Sequence, residues 1–287
     1  MLSCTYETET LFYPDFSEIG RFIAAGNTWD GNVRTVLDHM IDTPNPVIIE
    51  SGTNIGATLM QIKLAKPESE VHCFEPSNLF WEALRTNKEA NDWRHVYLNS
   101  CALSDASAAQ TLYNNDSTAS FATREYDGHD FVSEQIVKTQ RLDEYTKGFT
   151  RLDFIKSDTD GHEYNVLKGA RHTLERFHPM LYLEFQISQI TAAGQDPHEF
   201  LEFLTDNGYR NFLLFNNYGQ PLRLAANAKE ILDTYNEQVR FMDILAVHKD
   251  EPAQVEHLQT LGTNFLNGTL RASVRQPINR ATQATAK

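Results

Sequence analysis

Acids and glycines stand in this sequence where a nucleotide-like ligand could be gripped. Glu50 ends the apolar run Val47-Ile48-Ile49, and the turn Ser51-Gly52-Thr53-Asn54-Ile55-Gly56 follows it. Gly52 and Gly56 allow backbone angles and close approaches that a side chain would block. A strand that breaks into such a turn and then opens a helix points amide hydrogens, and the helix's positive end, at a bound group. Glu75 lies in Phe74-Glu75-Pro76, 19 residues after Gly56. That matches the interval of about 20 at which dinucleotide folds set an acid against ribose hydroxyls. A third set, Ser157-Asp158-Thr159-Asp160-Gly161-His162-Glu163, gathers carboxylates around a histidine.

The turn reads Gly-x-Asn-x-Gly, without the G-x-G-x-x-G spacing that seats a pyrophosphate against a helix. Glu50 at the strand tip would repel a pyrophosphate, but it can pair with the ammonium of a methionine moiety. The chain also lacks a second lobe large enough for a dehydrogenase substrate domain. Acid, turn and acid in this order favour S-adenosyl-L-methionine over a nicotinamide dinucleotide. Methyl transfer is an in-line displacement that needs proximity and, for a hydroxyl acceptor, a base. His162 suits that task by its near-neutral pKa. Capping of the following helix by His162 and Glu163 is the alternative, and the residues leave both open. Asp158 favours a site role. Two carboxylates and a histidine, with Glu184 at a neighbouring strand tip, also suit a divalent ion. The spacing does not demand one, and no metal is assigned.

Positioning these groups takes a sheet. Apolar runs rich in β-branched and aromatic residues at 47–49, 71–74, 96–98, 152–156, 180–183, 212–215 and 241–247 predict seven strands. Helical spacing over 57–65, 79–91, 164–177 and 197–207 predicts the helices between them. The alternation predicts an α/β fold with a doubly wound, mostly parallel seven-stranded sheet, binding its ligand along the strands' C-terminal edge. A loop carrying the turn Asn217-Tyr218-Gly219 joins the last two strands and predicts an antiparallel finish. Residues 1–46 predict a helical cover built from 16–25 and 32–41, whose loop 26–31 is either plain cover or a lid. Residues 104–130 read as an irregular excursion with one edge strand, and 136–139 as an edge or turn-positioning strand. Residues 47–250 form the main domain and 251–287 a partly flexible extension, with 272–287 a mobile tail. Trp29, Trp81 and Trp93 read as packing.

Composition narrows the function classes. At 41% hydrophobic and 22% charged, a chain of 287 residues buries a core and is not disordered throughout. Lys+Arg 25 against Asp+Glu 39 gives a net charge of -14, which argues against nucleic acid or an anionic membrane as partner. Cys4, Cys73 and Cys101 form no C-x-x-C pair and read as reduced thiols. Acid in Met1-Leu2-Ser3-Cys4-Thr5-Tyr6-Glu7, where a signal peptide needs base, fits a cytoplasmic protein.

Five motifs in order carry a family resemblance: Glu50 to Gly56; Phe74-Glu75-Pro76; Asn87 to Asn91; Ala102-Leu103-Ser104-Asp105; and Lys156 to Glu163 followed by Val166-Leu167-Lys168-Gly169-Ala170. This set resembles the FkbM-type methyltransferases, whose pattern reads D-x-G-A-N-x-G, then F-E-P, then K-I-D-V-E-G-x-E with L-K-G-A. The similarity runs from about Trp29 to His248. Glu50 replaces the usual Asp, Thr53 the usual Ala and Asp160 the usual Glu. The resemblance implies a Rossmann-like class I methyltransferase fold and S-adenosyl-L-methionine-dependent transfer to an oxygen of a small natural product or sugar. It places Glu50 at the methionine end, Ser51, Gly52, Thr53, Asn54 and Gly56 against the cofactor, Glu75 with Pro76 at the ribose, and Ser100, Cys101 and Ala102 beside the adenine. Asp158, Asp160 and His162 then fall near the sulfonium and the acceptor. The implied partner is a small-molecule or glycan hydroxyl acceptor, and a homodimer stays open. A non-catalytic cofactor-binding scaffold and a nicotinamide-dependent oxidoreductase are the alternatives.

Overall fold

A computed structural model describes residues 1–115, 119–122, 133–216, 218–235, 239 and 241–271. The chain opens with a hairpin of β1 (Leu2–Tyr6) and β2 (Glu9–Tyr13), then α1 (Glu18–Ala24) and α2 (Gly31–Met40). The cover expected over 1–46 is therefore helical only in its second half. Polar side chains dock the hairpin: Asn87 and Asn91 each offer an amide to both backbone groups of a β2 residue, Phe12 and Thr10 respectively. That pairing satisfies an edge strand as a neighbouring strand would.

Two βα steps and a third strand follow, β3 (Val47–Ser51) with α3 (Ala57–Ala65), β4 (Glu70–Phe74) with α4 (Asn78–Ala90), and then β5 (Val96–Asn99). Next come four strands of a second sheet: β6 (Ala102–Leu103), β7 (Ala109–Asn114), β8 (Ala119–Ser120) and β9 (Ser133–Gln140), ordered β6-β9-β7-β8. After α5 (Leu142–Tyr145) the main sheet resumes with β10 (Phe154–Ser157), α6 (Glu163–Lys168), α7 (Arg171–Phe177) and β11 (Met180–Phe185). It closes with α8 (Ile187–Ala192), α9 (Pro197–Asp206), β12 (Tyr209–Asn216), β13 (Pro221–Ala225), α10 (Ala228–Thr234), β14 (Met242–His248) and α11 (Pro252–Leu266).

The main sheet is eight-stranded and mixed, ordered β13-β12-β14-β11-β10-β3-β4-β5. Strands β11-β10-β3-β4-β5 run parallel, and β14, β12 and β13 join antiparallel. The expected seven strands miss β13, which starts at Pro221 and lies on the sheet edge, where a residue without an N–H is tolerated. Alternate strand residues feed two cores, as a doubly wound sheet requires. Ile48, Phe154 and Leu245 face the layer of α2, α3, α4 and α11, and Ile49, Ile155 and Ile244 face the layer of α6, α7, α9 and α10.

Three further expectations are corrected. The single helix over 164–177 is two, because Asp143 N–H bonds the Gly169 carbonyl and the Asp143 carboxylate takes the Thr173 N–H. These are the two groups that would otherwise close a turn of one continuous helix. The irregular excursion over 104–130 carries a β-sheet among its described residues. The extension after 250 contains α11, whose Leu258, Leu261 and Phe265 pack into the first core. The tail at 272–287, His129 and Asn217 of the expected turn lie outside the described residues. Among the described residues, no helix is long and apolar enough to cross a membrane.

Candidate active site

At the C-terminal edge of the parallel strands a cavity of about 720 Å³ opens. The turn after β3 forms its floor. Gly52, Asn54 and Gly56 hold positive φ angles of 81°, 53° and 88°. Gly52 and Thr53 donate backbone N–H bonds to the Phe74 carbonyl, tying the turn to β4. A methyl group on Gly52 would sit 1.7 Å from the Asp158 carbonyl oxygen, so only glycine lets β3 and β10 end this close together.

Glu75 fixes the turn from the next strand. Its Oε2 accepts from Asn54 N at 2.7 Å and its Oε1 from Ser77 N at 2.7 Å. Burial pushes its carboxyl up to about 7, against the pull of those two N–H groups. Each oxygen still has acceptor capacity for a ligand hydroxyl. Asn87 ties the same turn to the hairpin by donating to the Ile55 and Phe12 carbonyls.

The other wall is the tip of β10. Lys156 is 2% exposed, and its Nζ donates to Asp158 Oδ2 at 3.1 Å and lies 4.0 Å from Asp30 Oδ2. Burial works against its charge, but Asp158, Asp30 and Glu50 outweigh burial and raise its pKa. Asp160 sits in the left-handed region at φ 53° and accepts from Gln189 Nε2 at 3.3 Å. Burial, then Asp158 and Glu163, raise the Asp160 carboxyl well above the usual carboxylate range. Glu184, at the end of β11, is raised the same way by burial and by Asp158, Glu163 and Asp160, and its Oε2 lacks a partner among the described residues. The next helix starts at Glu163, whose Oε1 takes the N–H and hydroxyl of Thr159.

Of the expected site residues, Ser51, Gly52, Thr53, Asn54, Glu75, Pro76, Ala102, Asp158, Asp160 and His162 line this one cavity. Four do not. Glu50 alternates onto the sheet face beneath α2 and α3, fully buried, with Cys73 Sγ 3.7 Å from its Oε2 and no partner for Oε1 among the described residues. Burial pushes it up to about 8, with Lys156 pulling it down, and its side chain is not among those lining the cavity. Gly56 turns the chain into α3 against Leu84. Ser100 is exposed, and Cys101 points its Sγ toward Gln140, 3.9 Å from Oε1.

His162 lines the cavity with both ring nitrogens already bonded. Asn165 Nδ2 donates to its Nδ1 at 3.2 Å, which leaves Nε2 as donor to Ser104 Oγ at 3.0 Å. Burial lowers its pKa to about 4. Both nitrogens are engaged, and the neutral ring packs on Phe121 at 4.5 Å between centroids.

Sequence reasoning missed Lys156, Glu184, Gln186, Gln189 and Asp243 as cavity residues in its site assignment, and it read Trp29 as packing alone. Trp29 does meet Phe22 edge-on at 5.9 Å, yet it also lines the cavity. Period-2 alternation could have found Lys156, which lies two residues before Asp158 and level with Glu50 across the β3–β10 seam.

An adenosyl sulfonium suits this donor set. The glycine turn is a cradle that one Cβ would fill, the α3 N-terminus opens behind it, and Glu75 presents acceptor oxygens beside it. Comparison with known proteins agrees. The methyltransferase FkbM domain matches residues 50–211. The chain is 26% identical over 174 residues to the 2-O-methyltransferase NoeI of Sinorhizobium fredii (strain NBRC 101917 / NGR234), covering 55% of this chain and 70% of NoeI. It is 25% identical over 168 residues to methyltransferase sdnD of Sordaria araneosa, covering 46% of this chain and 65% of that protein. A solved FkbM methyltransferase from Methylobacillus flagellatus KT aligns at 14% identity with a TM-score of 0.48, over 82% of this chain and 56% of that one. The chain thus spans little more than half of that solved protein. With the domain matched over more than half its length, the chain belongs to the FkbM methyltransferase family, and its cofactor is S-adenosyl-L-methionine.

Proposed function

We propose that this protein methylates a hydroxyl oxygen of a hydroxyl-rich small molecule or glycan. The observation that carries the reading is the set of carboxylates, Asp158, Asp160, Glu184 and Asp243, that lines the same cavity as the Gly52 turn. Bound S-adenosyl-L-methionine supplies an electrophilic methyl group on a positively charged sulfur. The Gly52 to Asn54 backbone and Glu75 hold the nucleoside part. Lys156 orients Asp158 through its 3.1 Å bond.

Asp160 and Glu184 are the groups suited to take the acceptor's proton. Burial and mutual repulsion raise the proton affinity of both, so each carboxylate, when ionised, is a stronger base toward a hydroxyl than an ordinary one. Acceptor oxygens on Asp158, Asp243 and Gln189, in a cavity also lined by Trp29 and Phe121, suit the hydroxyls and ring of a sugar. The name of NoeI, a 2-O-methyltransferase, supports oxygen as the acceptor atom.

The test is transfer of labelled methyl from S-adenosyl-L-methionine to a panel of saccharides, phenols and amines. Label should appear on a hydroxyl compound. Glu184→Gln and Asp160→Asn should each lower kcat by about 10²–10⁴ with cofactor affinity unchanged. Label on an amine, or full turnover in both variants, would contradict the proposal.

A further inference from the structure

A second group of ligating side chains lies at the opposite edge of the sheet. His178 stands two residues before β11 begins, and His248 ends β14. The antiparallel register Leu181↔Ala246 brings these two ends together, whereas Glu184 and Asp243, paired at the far end, line the cavity. One ligand atom each from His178, His248 and Asp250 falls within 4.8 Å of the other two. We propose that His178, His248 and Asp250 form a binding site for a transition-metal ion of the zinc class.

The two imidazoles stack with centroids 3.7 Å apart and planes 7° from parallel. His248 is oriented through both ring nitrogens, and an ion at Nδ1 would take the place of the bond from Asp250 N. Its Nδ1 accepts from Asp250 N at 3.2 Å, and the backbone of Asn207 takes a hydrogen bond from the ring, so Nε2 carries the proton and Nδ1 the lone pair. A ligating histidine is oriented in this way, with its second nitrogen donating to a backbone carbonyl. Gly208 makes room for the ring, since a methyl group there would lie 2.1 Å from Nε2.

His178 caps α7 in the left-handed region at φ 45° and ψ 44°. Glu251 Oε1 lies 3.4 Å from its Nδ1 and supplies a fourth candidate ligand. Two imidazoles with carboxylates suit zinc, nickel or copper, whereas magnesium and calcium prefer oxygen alone. Ligand atoms on one tetrahedral ion at bonds of about 2.1 Å lie about 3.4 Å apart, so the set closes when the partly exposed His178 ring turns out of the stack. Asp250 and Glu251 are 61% and 37% exposed, which leaves the ion a path in. A bound ion would clip the α7–β11 corner to the β14–α11 corner and anchor the C-terminal helix.

The test uses the full chain, stripped with chelator and then titrated with zinc chloride by calorimetry and with cobalt chloride by visible absorption. Wild type should bind zinc, show cobalt d–d bands of histidine ligation, and gain melting temperature with zinc. His178→Gln should weaken zinc binding about tenfold or more and lose the cobalt bands. The exposed Asp250→Asn should weaken zinc binding in the same direction, and a circular dichroism spectrum matching wild type certifies either variant as folded. Absence of zinc binding by wild type, or wild-type affinity in a folded variant, would overturn the site.

Discussion

At the scale of single residues, Lys156 organises the catalytic edge. The Asp158 and Asp30 carboxylates both act on this one ammonium, which sits at the seam of β3 and β10. Replacing it with methionine keeps the volume and strands those acids. Lys156→Met should cost about 3–5 kcal/mol of stability, read as a lowered urea midpoint, because breaking a buried pair leaves an uncompensated charge. A midpoint equal to wild type would show the ion pairing to be incidental. Glu50 shows where reading by residue type falls short. Sequence places an acid at a strand tip, but only the pleat decides whether it faces the ligand or the sheet's buried face. Ser51, one residue on, is the side chain that lines the cavity.

At the scale of elements, the excursion between β5 and β10 contributes to the cavity wall. Its described residues Ala102, Leu103, Leu112, Ala119 and Phe121 line the cavity. The break between α6 and α7 leaves Gly169 free to meet the excursion, where a Cβ would lie 2.0 Å from the Ser104 carbonyl. Asp143 maintains that break by accepting from Thr173 N and Oγ1 at 2.9 Å each. Asp143→Ala should cost about 1–3 kcal/mol in chemical denaturation through an unpaired buried N–H, with cofactor affinity unchanged. Loss of cofactor binding in a folded Asp143→Ala chain would contradict that separation. The parallel strands were legible because runs such as Val47-Ile48-Ile49 are buried between two layers and carry a continuous apolar signal. The second sheet was legible only at 136–139 within β9, since β7 mixes polar with small residues, and β6 and β8 are two residues long. The helix break was hidden because its cause, Asp143, comes from outside the segment.

At the scale of the whole molecule, the buried acids tie stability to pH. Glu50, held near 8, and Glu75 and Glu163, each held near 7, start from an ordinary value of 4.5. The folded chain therefore keeps protons that the unfolded chain releases, and stability falls as pH rises through this window. His162, lowered from 6.5 to about 4, works in the opposite sense below pH 6.5 and offsets part of the trend there. Above 6.5 that offset ends, so the melting temperature of the cofactor-free chain should fall between pH 6.5 and 8, each tenfold gain in proton affinity on folding being worth about 1.4 kcal/mol. A melting temperature rising over that range would refute the assignment of those acids as protonated. The cavity that these groups surround is where the nucleoside of S-adenosyl-L-methionine is expected to sit, gripped by the Gly52 turn and Glu75. Calorimetric titration of S-adenosyl-L-methionine into wild type and Glu75→Gln tests this most directly. One site per chain, weakened about tenfold or more in the variant, is the predicted result, and equal affinity in the two chains, or no binding to wild type, would contradict it.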